Sequence, residues 1–167
     1  MPADKSATDS LQVRIGTPAD VHEIMSLAIA ANEENGFVKA TPEKMLTEIY
    51  ASLCLNKGLM GIIGEPGKTA EAAVLLRIGA MWYSAQPVVE EKAIFVRPEF
   101  RAAKARRAQR LCNFSKQVAD GLGIPLIIGV LSNARTEAKV KLYERQFGKP
   151  AGAFFLYGAS TIRMTEN

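Results

Sequence analysis

Half of the ten residues from Arg101 to Arg110 are basic (Arg101, Lys104, Arg106, Arg107 and Arg110), and none is acidic. They follow Ile94-Phe95-Val96-Arg97-Pro98, an apolar run stopped by proline, and are interleaved with Ala102, Ala103 and Ala105. A strand ends, the chain turns, and a helix begins with small side chains and fixed positive charge. That arrangement suits a diphosphate. The first amide N–H groups of a helix lack intrahelical partners and the helix dipole favours an anion beside them. Small side chains let a phosphate come close to the backbone. Stripped of this context, the same run reads as a solvated basic helix face. Its five cations would also suit the phosphates of a nucleic acid, but the run has no interleaved aromatics for base stacking.

Other reactive residue types form no comparable cluster. Cys54 and Cys112 each sit among apolar helical positions and read as reduced core or boundary residues. His22 stands alone, with no Cys or His at ligand spacing, so no metal site is expected. The 167 residues suit one domain, which at this size buries about 70% of its unfolded surface. A net charge of +4 permits an anionic ligand without demanding a polymeric one. Met1 to Ser10 are polar, show no signal-peptide pattern and read as a disordered tail, with one domain over 11–167. The apolar run Ala72 to Met81 is too short for a bilayer and contains Arg77. A cytoplasmic protein without a membrane partner is the expectation.

The elements that must position the basic run are legible by period and punctuation. Val13 to Ile15 suits a short strand. Thr17-Pro18-Ala19-Asp20 and Thr41-Pro42-Glu43 are helix starts, followed by apolar stripes through Val21, Ile24, Met25 and Ala28, and through Met45, Leu46, Ile49 and Leu53. Strands are expected over Leu59 to Ile63, Ala72 to Trp82 and Val88 to Val96, joined by short turns as an antiparallel meander. A helix follows over Ala102 to Leu122, with Ala108, Leu111, Phe114, Ser115 and Val118 on one face. Then come a buried apolar strand from Pro125 to Val130, a helix near Thr136 to Gln146, and two closing strands near Ala153 to Tyr157 and Ser160 to Met164. The sum is an α/β (α+β) fold: a mixed, mainly antiparallel central sheet of about seven strands flanked by about four helices.

These residues resemble the GNAT superfamily of acetyl-CoA-dependent N-acetyltransferases over about residues 11–164. In that family a strand ending Val-x-Pro leads into an Arg/Gln-x-x-Gly-x-Gly/Ala loop around the CoA pyrophosphate. Val96-Arg97-Pro98 matches the strand end and Arg101 the first loop position, whereas Lys104 and Arg106 occupy the glycine positions. Glycine permits close backbone approach; the two cations would replace it by direct charge on phosphate. Asn133 and Leu142-Tyr143 resemble the family's later Asn…Leu-Tyr block, with Asn133 farther from Tyr143 than usual and Thr136 at the usual spacing. Trp82-Tyr83-Ser84 and Phe154-Phe155-Leu156-Tyr157 also resemble a phage-associated subgroup.

The resemblance implies acetyl transfer from acetyl-CoA to a primary amine of a small molecule or protein, without a metal. Cofactor contacts would fall on Ile94, Phe95, Val96, Arg101, Ala102, Ala103, Lys104, Ala105, Arg106 and Asn133. The backbone of Ile94 to Val96 would pair with the pantetheine like an added strand. The attacking amine must lose a proton, and Glu90 best matches the family's carboxylate base. Glu91, its neighbour, points to the opposite sheet face unless a bulge intervenes. Both also read as edge charges paired with Lys92. Tyr143 matches the tyrosine that protonates the leaving thiolate, a task for which a phenol's ordinary pKa is close to a thiol's; a packed helix tyrosine is the plain reading. A catalytically silent CoA-binding protein, a nucleic-acid module and a homodimer stay open at this point, and the acceptor is unread.

Overall fold

The computed structural model describes residues 11–101, 106–132 and 135–158. The expected tail over 1–10, Ala102 to Ala105, Asn133 and the expected strand Ser160 to Met164 lie outside them. Five strands, β1 (Arg14–Ile15), β2 (Gly58–Ile63), β3 (Ala72–Ala80), β4 (Pro87–Val96) and β5 (Leu126–Ile127), form one sheet in sequence order. The first four run antiparallel, and β5 joins β4 in parallel. Four helices flank the sheet: α1 (Val21–Asn35), α2 (Pro42–Leu53), α3 (Arg107–Leu122) and α4 (Thr136–Phe147). The fold is the expected mixed α+β sandwich.

Each face of the sheet has its own core. On one, Ile24 and Leu27 of α1 and Ile49 and Leu53 of α2 pack on Met60, Ile62, Ala73 and Phe95. On the other, Leu111 and Ala119 of α3 pack on Ile63, Val74, Leu76 and Val89. Alternation along the strands divides the side chains between these layers. A Cβ on Gly61 would stand 2.6 Å from the Phe114 ring, so the missing side chain lets α3 settle on β2. The start of α1 is tied to β1 by Arg14, whose guanidinium donates to both carboxylate oxygens of buried Asp20 at 2.9 and 2.7 Å. That pairing holds the Asp20 carboxyl below its ordinary range.

Several elements differ from expectation. Instead of about seven strands, the described residues form five. Ala153 to Tyr157 is not a strand: the run lies exposed and finds no ladder partner among the described residues. The strand expected from Pro125 to Val130 shrinks to Leu126–Ile127, with Ile127 exposed, because β4 stays alongside it only at Val89 and Glu90. The strand expected to reach Trp82 stops at Ala80, and Trp82 packs edge-on to Tyr83 at the exposed hairpin tip. The helix expected from Ala102 begins at Arg107, after a short 3-10 turn over Pro98–Phe100. Cys112 is buried in α3, as a core cysteine should be, but Cys54 is exposed just past α2.

Candidate active site

Beyond Glu90 the outer edge of β4 loses β5, and the sheet splits. One cleft of about 570 Å³ opens between the end of β4 and α3 and α4. Ile94, Phe95, Val96, Arg101, Arg106 and Tyr143, all expected site residues, line it. A second cleft of about 470 Å³ opens between the end of α1, the middle of β4 and the chain after β5; Glu90 and Glu91 line it. Ile94, Lys139 and Tyr143 line both, so the two clefts meet there.

The first cleft is strongly basic. Arg101, Arg106, Arg107, Arg135, Lys139 and Arg145 line it, opposed by the single carboxylate of Glu34. These cations do not have equal freedom. Arg101 donates to the Val96 carbonyl at 2.9 Å and to Glu34 at 2.7 Å, and lies over the Phe95 ring. Glu34 is correspondingly held below its ordinary pKa, chiefly by that hydrogen bond. Arg107 is bound to Glu71 and to the Phe100 carbonyl and stacks on the Phe100 ring. Both therefore brace the turn that carries the basic run. Arg106 is exposed and caps α3 with a left-handed backbone, φ 51° and ψ 34°, a conformation that glycine adopts without cost.

The adjacent carboxylates occupy different surroundings. Glu91 pairs with Leu76, Ala93 pairs with Leu75, and Lys92 is the extra residue of a β-bulge. The bulge falls after both carboxylates, so Glu90 and Glu91 still point to opposite faces. Glu91 shares its face with Val89 and Leu76, toward α3. Its carboxyl is desolvated although part of the residue is reached from the cleft. That desolvation raises its pKa to about 7, against the Gly129 N–H and the Lys139 ammonium, which favour the charged form. Glu90 is exposed and forms an ion pair with Lys92 at 2.8 Å.

Tyr143 stands on α4 and packs edge-on to Phe147. Burial, with Glu91 and Cys112 nearby, pushes its phenol well above the ordinary range, so it keeps its proton at every working pH. The closeness to a thiol's pKa expected of a free phenol does not hold in this environment. Cys112 is likewise pushed up to about 12 by burial and then by Glu91, which leaves it a thiol.

A polar network missing from the sequence reading crosses the junction. The Lys139 ammonium donates to Asn35 Oδ1 and Ser132 Oγ, each at 2.9 Å, and Ser132 donates to Asn35 at 2.7 Å. It links the end of α1, the chain after β5, and α4. Desolvation lowers the Lys139 pKa. Lys139 precedes Tyr143 by one helical turn, and that i, i+4 relation was the only signal available in the sequence. Among the described residues, no group of three or more His, Cys, Asp or Glu side chains could hold a metal ion, and no helix is long and apolar enough to cross a membrane.

No protein-family model and no curated protein matches the sequence. Solved structures do match over nearly the whole chain. An integron cassette protein from the mobile metagenome of Cole Harbour Salt Marsh is 20% identical, with 88% of this chain and 89% of that one covered and a TM-score of 0.66. AAC(6')-Iy, solved with the bisubstrate analogue CoA-S-monomethyl-acetylneamine, is 17% identical over 87% and 95% of the two chains, with a TM-score of 0.64. A ribosomal-protein-alanine N-acetyltransferase from Brucella melitensis biovar Abortus 2308 is 12% identical over 87% and 97%, with a TM-score of 0.63. The chain thus has the fold of the GNAT acetyltransferases, a mixed α+β architecture with a mainly antiparallel sheet.

Proposed function

We propose that the protein transfers an acetyl group from acetyl-CoA to a primary amine, the donor in the basic cleft and the acceptor in the second. The observation that carries this is the junction at Ile94, Lys139 and Tyr143, where a cation-lined cleft meets one holding a carboxylate with a pKa of about 7. A ligand with phosphates at one end and a neutral thioester at the other fits that polarity. Arg106, Arg135 and Arg145 would meet the phosphates, and the edge of β4 beyond Glu90, which has no strand partner among the described residues, would lie along the pantetheine. AAC(6')-Iy holds a CoA-containing analogue on the same fold.

The chemistry follows from the two carboxylates and the phenol. The amine nitrogen bonds to the acetyl carbon, the C–S bond breaks, and the ammonium proton must leave. We assign that proton to Glu91 rather than Glu90, since a base works best with a pKa near the working pH and Glu90 is occupied by Lys92. Tyr143, kept protonated by burial, gives a hydrogen bond from its O–H to the departing sulfur, which leaves as the thiolate stabilised by that bond. Lys139 tempers Glu91 and holds α4, and so Tyr143, against α1. Arg101 and Arg107 are engaged internally, which leaves a polymeric phosphate ligand fewer cations. Calorimetry with CoA and dephospho-CoA, followed by thiol release from acetyl-CoA in the presence of amines, tests the reading. Binding with amine-dependent release is expected. Binding without release would make the protein a silent CoA binder, and no heat with either ligand would refute the proposal.

A further inference from the structure

We propose that the second cleft selects a primary amine carried on an apolar body with no second charge, such as an arylalkylamine; this rests on the acetyl-transfer reading above. The walls carry the inference. Phe37, Ile127, Ile128, Leu131 and Phe154 line the same cleft as Glu91. Three of them, Ile127, Leu131 and Phe154, present 39, 57 and 79% of their surface to water. The Phe154 ring reaches within 4.0 Å of where a Gly129 side chain would begin, so it stands over the stretch whose N–H faces Glu91. Apolar surface gathered around a single desolvated carboxylate is complementary to an ammonium on a hydrocarbon.

The charges exclude the alternatives. A polyamine or aminoglycoside needs several carboxylates, yet the cleft has two and Glu90 is matched by Lys92. An amino acid needs a free cation for its carboxylate. Lys92 is matched by Glu90, and Lys139 has two of its three N–H groups held by Asn35 and Ser132 and its charge set against Glu91. The carboxylate left to engage a ligand is that of Glu91, and one ammonium satisfies it. A second polar group on the acceptor would be buried against hydrocarbon without a partner.

The test compares kcat/KM at pH 8 for phenethylamine, phenylalanine and spermidine with saturating acetyl-CoA, after acetyl-CoA binding has been measured directly. Phenethylamine is expected to exceed both others by about tenfold or more, the scale for a few methylenes in an apolar pocket or one unpaired polar group. Leu131→Asp changes an exposed position and should fold. It is expected to cut the preference for phenethylamine over spermidine by about tenfold, by removing apolar wall and adding a carboxylate. Equal or better turnover of spermidine or phenylalanine would overturn this inference and leave acetyl transfer standing. So would acetyl-CoA that binds while phenethylamine is not acetylated and another amine is. Failure of acetyl-CoA to bind would overturn the transfer reading and the inference together.

Discussion

Replacing Glu91 by Gln should make the protein more stable and less active, and the size of the first effect can be worked out. Lifting a carboxyl from 4.5 to about 7 makes its charged form roughly 3 kcal/mol less favourable than in water. The folded-state value lies above the unfolded one. The associated stability is therefore fully present below pH 4.5 and is lost as pH rises through about 7. The amide would keep the size of the side chain and an oxygen for the Gly129 N–H, without the ionisation. Wild type and Glu91→Gln should thus unfold at similar denaturant concentrations at pH 4.5, while at pH 8 the variant should be more stable by roughly 3 kcal/mol. Other titrating groups cancel in the difference. The same variant should lose about 10²- to 10⁴-fold in amine acetylation, the usual range for a general base. The acid limb of the wild-type kcat/KM profile should fall near pH 7. Parallel stability curves for the two proteins from pH 4.5 to 8 would refute the assignment of a desolvated carboxylate here. Intact activity in the variant would return the base to Glu90 or to water.

Tyr143→Phe keeps the ring against Phe147 and removes only the hydroxyl; single-turnover acetyl transfer should fall about 10²-fold or more while CoA affinity in calorimetry is kept. Single turnover is required because product release would hide the loss in steady state. Glu34→Gln removes the one carboxylate of the basic cleft and releases Arg101, so CoA should bind about two- to tenfold tighter, read by calorimetry at low salt. Arg106→Gly and Arg106→Ala both remove a charge from the cleft and should weaken CoA alike. The Gly variant should be more stable to denaturant by about 0.5–1 kcal/mol, because only glycine relieves the left-handed backbone and part of that gain is returned in unfolded-state entropy.

Elements with local signals were legible in the sequence. The β2–β3–β4 meander and the four helices announce themselves by period, by Thr-Pro starts and by glycine or proline stops, and most boundaries agree within a few residues. The parts that failed depend on partners distant in the chain. Phe154-Phe155-Leu156-Tyr157 has strand composition, but composition supplies no neighbour to pair with. The strand after Pro125 is short because β4 diverges from it, which only the assembled sheet reveals. At the candidate site, strand position pointed to Ile94 to Val96 and motif position to Tyr143, and all four line the first cleft. The environments of Glu90 and Glu91 were not readable: adjacent identical residues differ here only in what the other elements place around them. The Asn35–Ser132–Lys139 network joins residues up to 104 positions apart and leaves no local trace.

The extra residue at Lys92 also bears on how this strand tolerates change in length. Because of it, Val89 and Glu91 before the bulge share a face with Ile94 and Val96 after it, whereas strict alternation would have set them apart. Deleting that one residue would remove the bulge and leave every other side chain of β4 on its present face, because plain alternation then sets Val89, Glu91, Ile94 and Val96 together. A relative that lacks the bulge would therefore be one residue shorter here and keep the same faces. Relatives of this chain compared without a gap at that position would match carboxylates that face opposite ways.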